Sequence, residues 1–158
     1  MKVLAPAFAV GKERFGLRLN HYSIQSDHLH LIVEAEDRTA LTRGMKGLTG
    51  RIAKALNKLW SRKGSVFDDR YHDHILRTPK QVRNVLAYLF HNARKYGRNA
   101  RQSLDHYCSG WWFDGFREKL EIQGLEGVPR PTAAPRTWLA NKGWRRHGLI
   151  PLARPAPS

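Results

Sequence analysis

Two histidines separated by a single leucine stand in the stretch SDHLHLIVEAE, residues 26 to 36. If this stretch is a β-strand, His28 and His30 point to the same side, because alternate residues of a strand share a face. Two adjacent imidazoles can bind one divalent metal ion. The alternative is that both are polar residues on the solvent side of a half-buried sheet, and a His-x-His pair alone does not decide between the two.

A second candidate is a tyrosine on a predicted helix from Pro79 to Gly97. The apolar stripe of this helix consists of Val82, Leu86, Leu89, Phe90 and Ala93, with Val85 on its flank. Tyr88 lies well outside the stripe, among the polar residues Asn84, Asn92 and Lys95. Tyr88 and Asn92 are four residues apart, so the helix presents a hydroxyl and an amide oxygen on one side. An ordinary surface tyrosine would give the same pattern.

A β-hairpin is predicted to position the histidines. The segment GLRLNHYSIQS alternates polar and apolar residues, and DHLHLIVEAE follows it after a tight connection. In the second strand one face carries Leu29, Leu31 and Val33, and the other carries His28, His30 and Ile32. Residues 5 to 15 are predicted to be the end of a preceding helix with Ala7, Phe8, Val10 and Phe15 as its apolar residues.

Two amphipathic helices and a second strand-like region follow the hairpin. Apolar residues recur at helical spacing from Thr39 to Arg62, and Gly64 is expected to stop that helix. The segment SVFDDRYHDHILR is strand-like and contains a second histidine pair, His72 and His74. The next helix has the strongest boundary signals in the chain. They are Thr78 as N-cap, Pro79 at the first helical position and Gly97 at the end.

The sequence signals for regular secondary structure are weaker beyond Gly97. SGWWFDGFR is an aromatic cluster, GVPRPTAAPR a Pro-rich linker and TWLANKGWRRHGLI a short basic helix candidate. The sequence therefore predicts an α+β core over residues 1–100, and a basic, Trp-rich extension with a Pro-rich linker over residues 101–158.

Charge and composition restrict the partners. The 158 residues include 28 Lys and Arg against 13 Asp and Glu, a formal net charge of +15. Such a charge on a small domain predicts an anionic partner, most simply nucleic acid, with an acidic membrane surface as the lesser alternative. No apolar stretch is long enough to span a bilayer, and the first residues lack a signal-peptide core. The lone Cys108 cannot form an intramolecular disulfide, which favours the cytoplasm.

Basic and aromatic residues provide candidate contacts to a DNA strand. The candidates for the phosphate backbone are Arg43, Lys46, Arg51, Lys54, Lys58, Arg94, Lys95, Arg98, Arg145 and Arg146. Trp144 is a further DNA-binding candidate, with Trp111, Trp112 and Trp138, because tryptophan stacks on unpaired bases. The alternatives are an ordinary solvated helix face for the charges and packing onto the core for the tryptophans.

Three blocks of the sequence together resemble the HUH single-strand DNA nucleases, and within them the REP-associated tyrosine transposases. These blocks are HYSIQSDHLHLIVEAED, GSVFDDRYHDHILRTPKQVRNVLAYLFHNARKYG and APRTWLANKGWRRHG. Their order and spacing match that group over most of the chain from about Phe15. The resemblance implies a ferredoxin-like or RRM-like antiparallel sheet with helices on one face.

The same resemblance implies the chemistry. His28 and His30 would bind Mg²⁺ or Mn²⁺, with Asn92 as third ligand, and Tyr88 would attack a DNA phosphodiester to give a 5′-phosphotyrosine and a free 3′-hydroxyl. Asp27 stands where relatives often carry asparagine, and it would orient a ligand histidine. The implied substrate is single-stranded or hairpin repeat DNA, and the implied location is the cytoplasm, associated with the nucleoid. Imidazole ligands would suit Mn²⁺ better than Mg²⁺.

One feature departs from the group. Its members normally begin with a β-strand in the centre of the sheet, whereas here the chain starts within or just ahead of the first helix. Either the start is truncated, or another element fills that position. A missing central strand would leave an exposed strand edge, and a second copy of the chain could supply a strand as a homodimer. Tyr71 is expected to be structural, and His72 and His74 structural or DNA-facing.

Three functions compete at this point. The first is a metal-dependent tyrosine DNA endonuclease and transposase. The second is a non-catalytic DNA-binding module derived from a decayed transposase, which the missing strand favours. An RNA-binding RRM-like protein is the third, and it is weaker because no strand carries the aromatic residues that such domains use.

Overall fold

The computed structural model describes residues 3–91, 104, 107–120 and 128–152. Its elements are α1 (Leu4–Gly11), β1 (Glu13–Arg14), β2 (Leu17–Ile24), β3 (Leu29–Ala35), α2 (Arg38–Leu59), α3 (Pro79–His91) and α4 (Trp138–Asn141). Two short 3₁₀ helices, Ser109–Trp112 and Gly143–His147, complete the described segments. The strands form an antiparallel sheet in the order β1-β2-β3. The predicted α+β class and the predicted hairpin are confirmed.

The chain divides into two compact units, and both take residues from the C-terminal extension. The first contains residues 1–20, 32–75 and 129–134, and the second contains residues 21–31, 76–128 and 135–158. The sequence predicts a different division, with a core over residues 1–100 and a separate extension over residues 101–158. This division stays a prediction.

In the first unit, α2 approaches β2 closely because the helix has a glycine at the point of contact. A Cβ atom on Gly44 would lie 2.3 Å from the Cβ of Leu17, so any larger residue would collide with the strand. The apolar stripe of α2 is buried at Met45, Leu48 and Ile52, as its spacing predicts. Asp37 caps the helix by accepting a hydrogen bond from the backbone N–H of Ala40 at 2.7 Å.

The first half of β2 is buried on both faces, whereas the alternating sequence predicts a half-buried strand. Its polar residues form a buried cluster in which Arg18 and Asn20 donate to the Glu34 carboxylate, each at 3.3 Å. The backbone N–H of Ala133 donates to the carbonyl of Leu19 at 2.7 Å. A segment of the extension therefore takes up part of the strand edge in this unit.

In the second unit, the second half of β2 is also bonded to the extension. Ser23 forms an antiparallel bridge with Cys108, and the N–H of Ile24 donates to the carbonyl of Tyr107 at 2.9 Å. The N–H of Tyr22 donates to the Ser109 hydroxyl at 2.9 Å. The expected exposed edge is thus occupied, because residues distant in sequence supply the missing hydrogen bonds.

The helix α3 begins with the cap that the sequence predicts. The Thr78 hydroxyl accepts from the N–H of Gln81 at 3.2 Å, and the Gln81 side chain accepts from the N–H of Thr78 at 3.1 Å. The buried face consists of Val82, Leu86, Leu89 and Phe90. Phe90 packs in an aromatic cluster with Phe113 and Phe116. The part of the predicted helix beyond His91 lies outside the described residues.

Three predictions about secondary structure differ from the structure. The predicted helix over residues 5–15 ends at Gly11, and Glu13–Arg14 form the strand β1, which pairs with β2. Residues 65–77 contain no strand and run as irregular chain, because their few apolar residues are not paired with a neighbouring strand. Here Tyr71 and both histidines, His72 and His74, are exposed. The helix α2 ends at Leu59, before Gly64, and Ser61 follows with a positive φ of 51°. No helix among the described residues is long and apolar enough to cross a membrane.

Candidate active site

The start of β3 brings two imidazoles together in the second unit. The Nε2 atoms of His28 and His30 lie 3.0 Å apart, and the two rings are nearly perpendicular, with an interplanar angle of 86°. His28 stands just ahead of the strand and His30 is its second residue. The period-two geometry of extended chain therefore gives the convergence that the sequence pattern implies.

Asp27 determines the tautomer of His28. Its carboxylate oxygen Oδ1 lies 2.6 Å from Nδ1 of His28, so the ring donates its Nδ1–H to the carboxylate. A neutral imidazole protonated at Nδ1 keeps the lone pair on Nε2, the atom that faces His30. The same hydrogen bond lowers the pKa of Asp27 below its ordinary value, which keeps this acceptor ionised.

His30 is partly buried, and this favours its neutral form. Burial lowers the pKa of His30 below the ordinary value for histidine, and the neighbouring His28 lowers the pKa further. A neutral imidazole is the form that binds a metal ion, whereas the protonated ring has no lone pair to donate.

Tyr88 lies next to His30 within the same unit. Their ring centroids are 5.4 Å apart in an edge-to-face arrangement, with an interplanar angle of 79°. The tyrosine side chain is 49% exposed, although α3 buries the residues on its opposite face. A polar group could therefore approach the phenol from solvent, while the helix backbone holds its position.

The distance between the Nε2 atoms of the two histidines equals the spacing of two adjacent ligands on one divalent ion, and it is equally the length of a hydrogen bond between the two rings. Ligands at right angles around an ion at about 2.1 Å lie about 3.0 Å from each other. The Nε2 separation of 3.0 Å has this value. Within residues 3–91, 104, 107–120 and 128–152 no group of three or more His, Cys, Asp and Glu side chains could hold a metal ion. Further ligands would have to come from Asn92, water or the substrate.

Four predicted site residues lie outside the described part of the chain. They are Asn92, Arg94, Lys95 and Arg98. The predicted roles of Asn92 as a metal ligand and of the other three in phosphate binding stay predictions.

The predicted basic face of α2 is present in the first unit. Arg43, Lys46, Lys54 and Lys58 are exposed and Arg51 is half-buried. These five residues recur every three to five positions, so they share one broad side of the helix away from its buried stripe. The arrangement presents several cations to solvent together.

The three predicted DNA-contacting residues of the extension differ in their exposure and in their contacts within the protein. Trp144 is 1% exposed, stacks on Phe113 and donates its Nε1–H to the carbonyl of Ala140, so its ring offers no surface to a nucleobase. Arg145 binds the carboxylate of Asp114 at 2.7 Å. Arg146 is exposed, and its guanidinium lies 4.9 Å from the centre of the Trp138 ring. The packing alternative accounts for Trp144.

Sequence reasoning missed the residues that anchor α3. Arg83 donates to the carbonyls of Gly148 and Leu149, at 3.0 and 3.3 Å. Nε2 of His91 lies 2.8 Å from the carbonyl of Pro151. These bonds join the Tyr88 helix to residues about sixty positions later. Since the acceptors are backbone atoms, no residue type in that later segment could have signalled them.

One comparison with known proteins gives a match. Residues 2–92 match a family model described as "Transposase IS200 like". The matched range covers more than half of the 158 residues and includes the hairpin, α2 and α3. No curated protein and no solved structure matches the chain.

Proposed function

Because the chain belongs to the IS200-like transposase family, we propose that it nicks single-stranded DNA and transfers the strand through a covalent bond to Tyr88. The observation that carries this proposal is the grouping of His28, His30 and Tyr88 in one unit. One histidine pair has Nε2 atoms 3.0 Å apart, and the tyrosine ring lies 5.4 Å from the nearer imidazole. The proposed nucleophile and the two proposed metal ligands thus adjoin each other.

The proposed reaction is an exchange of phosphodiester bonds. The phenolic oxygen of Tyr88 forms a bond to phosphorus, the P–O3′ bond breaks, and the upstream strand leaves with a 3′-hydroxyl that takes up a proton. The downstream strand stays attached through its 5′-phosphate to Tyr88. In the second half, a 3′-hydroxyl attacks the phosphotyrosine and releases the phenol. The number of phosphodiester bonds is conserved, so no ATP is required.

His28 and His30 would hold the divalent ion, with Asn92 as the proposed third ligand. When bound, Mn²⁺ or Mg²⁺ would neutralise charge on the attacked phosphate and favour the ionised phenol. Asp27 holds the ring of His28 and keeps its Nε2 lone pair directed at the site. The exposure of Tyr88 admits a DNA strand to the phenol.

The proposed substrate is hairpin-forming repeat DNA, as in REP-associated transposases. The net charge of +15 and the exposed cations of α2 support a polyanionic ligand. A cytoplasmic, nucleoid-associated location follows from that substrate. The missing first strand favours the non-catalytic alternative, whereas the hydrogen bonds that β2 receives from the extension support the catalytic proposal.

Incubation with hairpin oligonucleotides labelled at the 3′ end, together with Mn²⁺, tests the proposal. Wild-type protein is expected to form an adduct that survives denaturing electrophoresis, and Tyr88→Phe and chelated samples are expected to form none. Tyr71→Phe serves as the matched control, because Tyr71 is also an exposed tyrosine but lies in the first unit. Retarded native complexes without any adduct would instead identify a DNA-binding module.

A further inference from the structure

The first unit contains an exposed phenylalanine in a strained backbone conformation. Phe15 has a φ of 57° and is 49% exposed. L-residues with a Cβ atom avoid this left-handed region, where glycine is the favoured residue. Burial in the core does not explain the aromatic ring, because half of it faces solvent. Phe15 and Gly16, with φ of 57° and 77°, are the two central residues of the turn that joins β1 to β2, and such a two-residue hairpin turn requires a positive φ at both. The turn accounts for the backbone conformation but not for an aromatic side chain at this position.

Guanidinium groups surround this ring. The Cζ atoms of Arg14 and Arg43 lie 5.4 and 5.5 Å from the centre of the Phe15 ring. Arg51 lines the same shallow depression as Phe15 and Arg14. We call Arg14, Phe15, Arg43 and Arg51 the Phe15 cluster. Two guanidiniums thus lie over the exposed ring and a third lines the adjoining depression, so an aromatic side chain and three positive charges share one surface.

Glycines bring these side chains together. A Cβ atom on Gly47 would touch the Phe15 ring at 3.4 Å, and one on Gly11 would lie 3.5 Å from the Arg51 side chain. Because α1 and α2 pack against each other here, the ring and the arginines emerge from one surface of the unit. The platform is held by two helices and a strand rather than by a long loop.

We propose that the Phe15 cluster is a binding site for one unpaired nucleotide of single-stranded DNA. The base takes the place of a guanidinium over the Phe15 ring, and the arginine side chains move to bind the adjoining phosphates. The inference deepens the proposed function, since it takes a DNA strand to be the substrate. Stacking requires a base with a free face, which a single strand offers and the interior of a duplex does not. An acidic protein partner would use the arginines but would not require the aromatic ring.

Two substitutions of Phe15 separate binding from folding. Phe15→Gly removes the ring and also relieves the positive φ, so its melting temperature should equal or exceed that of the parent. Its affinity for a single strand should fall about five- to one-hundred-fold, the range that loss of one stacked base produces. Phe15→Tyr keeps the ring and should keep the affinity.

Trp60→Leu provides the matched control for the loss of an exposed ring. Trp60 is 51% exposed and also has a guanidinium over its ring, that of Arg62 at 5.6 Å. The proposal expects this variant to bind a single strand as the parent does. Arg43→Gln should weaken binding and reduce its salt dependence.

Fluorescence anisotropy with single-stranded, duplex and RNA oligonucleotides of one sequence measures these effects, with every variant made in a Tyr88→Phe background. The proposal would be overturned if Phe15→Gly kept its affinity for the single strand, lost as much affinity for duplex DNA, or melted at a lower temperature than the parent. It would also be overturned if Trp60→Leu lost as much affinity as Phe15→Gly, or if the protein bound RNA more tightly than DNA. Since binding is measured without catalysis, its result is independent of adduct formation. If wild-type protein forms the adduct but the Phe15 variants bind DNA like the parent, the proposed function is supported and the Phe15 binding site is not.

Discussion

At the scale of single residues, Asp27 controls the chemistry of its neighbour. Its carboxylate accepts the Nδ1–H of His28, which leaves the Nε2 lone pair of that ring directed at His30, where the ion is proposed to bind. Asp27→Ala should therefore lower the affinity for Mn²⁺ about ten- to one-hundred-fold, because the ring loses its orientation and its preferred tautomer. Isothermal titration calorimetry measures this affinity directly.

The control for Asp27 is another exposed carboxylate, Asp68 in the irregular chain of the first unit. Asp68→Ala removes the same charge and should leave Mn²⁺ binding unchanged. Equal losses in both variants would mean that only the net charge matters, which contradicts an orienting role for Asp27.

Much of the candidate site is predictable from sequence because its geometry is local. His28 and His30 converge through the two-residue period of extended chain, and Tyr88 is exposed because it lies outside an apolar stripe. The nearness of Tyr88 to His30 is not local, because the two residues are 58 positions apart in the sequence. The family resemblance predicts this nearness, whereas the spacing of the residues does not.

At the scale of elements, the extension completes β2. The sequence predicts a strand with an open edge, but Ser109 and Ala133 bond to its backbone. These partners lie about ninety or more residues away, and one of them is a backbone group. Hydrophobic periodicity carries no signal for such pairs. The sequence therefore could not predict that the extension would occupy this edge of β2.

Trp144 gives a test of this structural role for the extension. Its ring is buried against Phe113, so Trp144→Ala should lower the free energy of unfolding by about 3–5 kcal/mol. Chemical denaturation followed by circular dichroism gives this value. Trp144→Phe keeps an aromatic ring and should lose less.

Arg146→Ala serves as the comparison, because Arg146 is exposed on the same 3₁₀ helix. It should leave the stability nearly unchanged. A Trp144→Ala variant with parental stability and weakened DNA binding would contradict the packing role and restore the prediction that Trp144 contacts DNA.

At the scale of the whole molecule, the excess of positive charge should dominate DNA affinity. Each phosphate contact releases counterions, so the logarithm of the binding constant should fall linearly with the logarithm of salt concentration, by about 0.7 per contact for single strands. Lys46→Gln and Lys54→Gln should each reduce this slope by about 0.7, because both lysines are exposed on α2.

Anisotropy titrations at several salt concentrations give the slopes. Lys119→Gln supplies a control, since Lys119 is an exposed lysine in the second unit outside the predicted contacts. If the slope stays the same in both α2 variants, the basic face of α2 does not contact the phosphate backbone.

The most direct test of the central claim follows the two ends of the DNA. A hairpin oligonucleotide labelled at either its 5′ or its 3′ end is incubated with the protein and Mn²⁺, and the adduct is digested and mapped by mass spectrometry. The account predicts that only the 3′ label stays with the protein, attached through a 5′-phosphate to Tyr88, while the 5′ label leaves on a fragment ending in a 3′-hydroxyl. A 5′ label on the protein, or attachment at another residue, would contradict it.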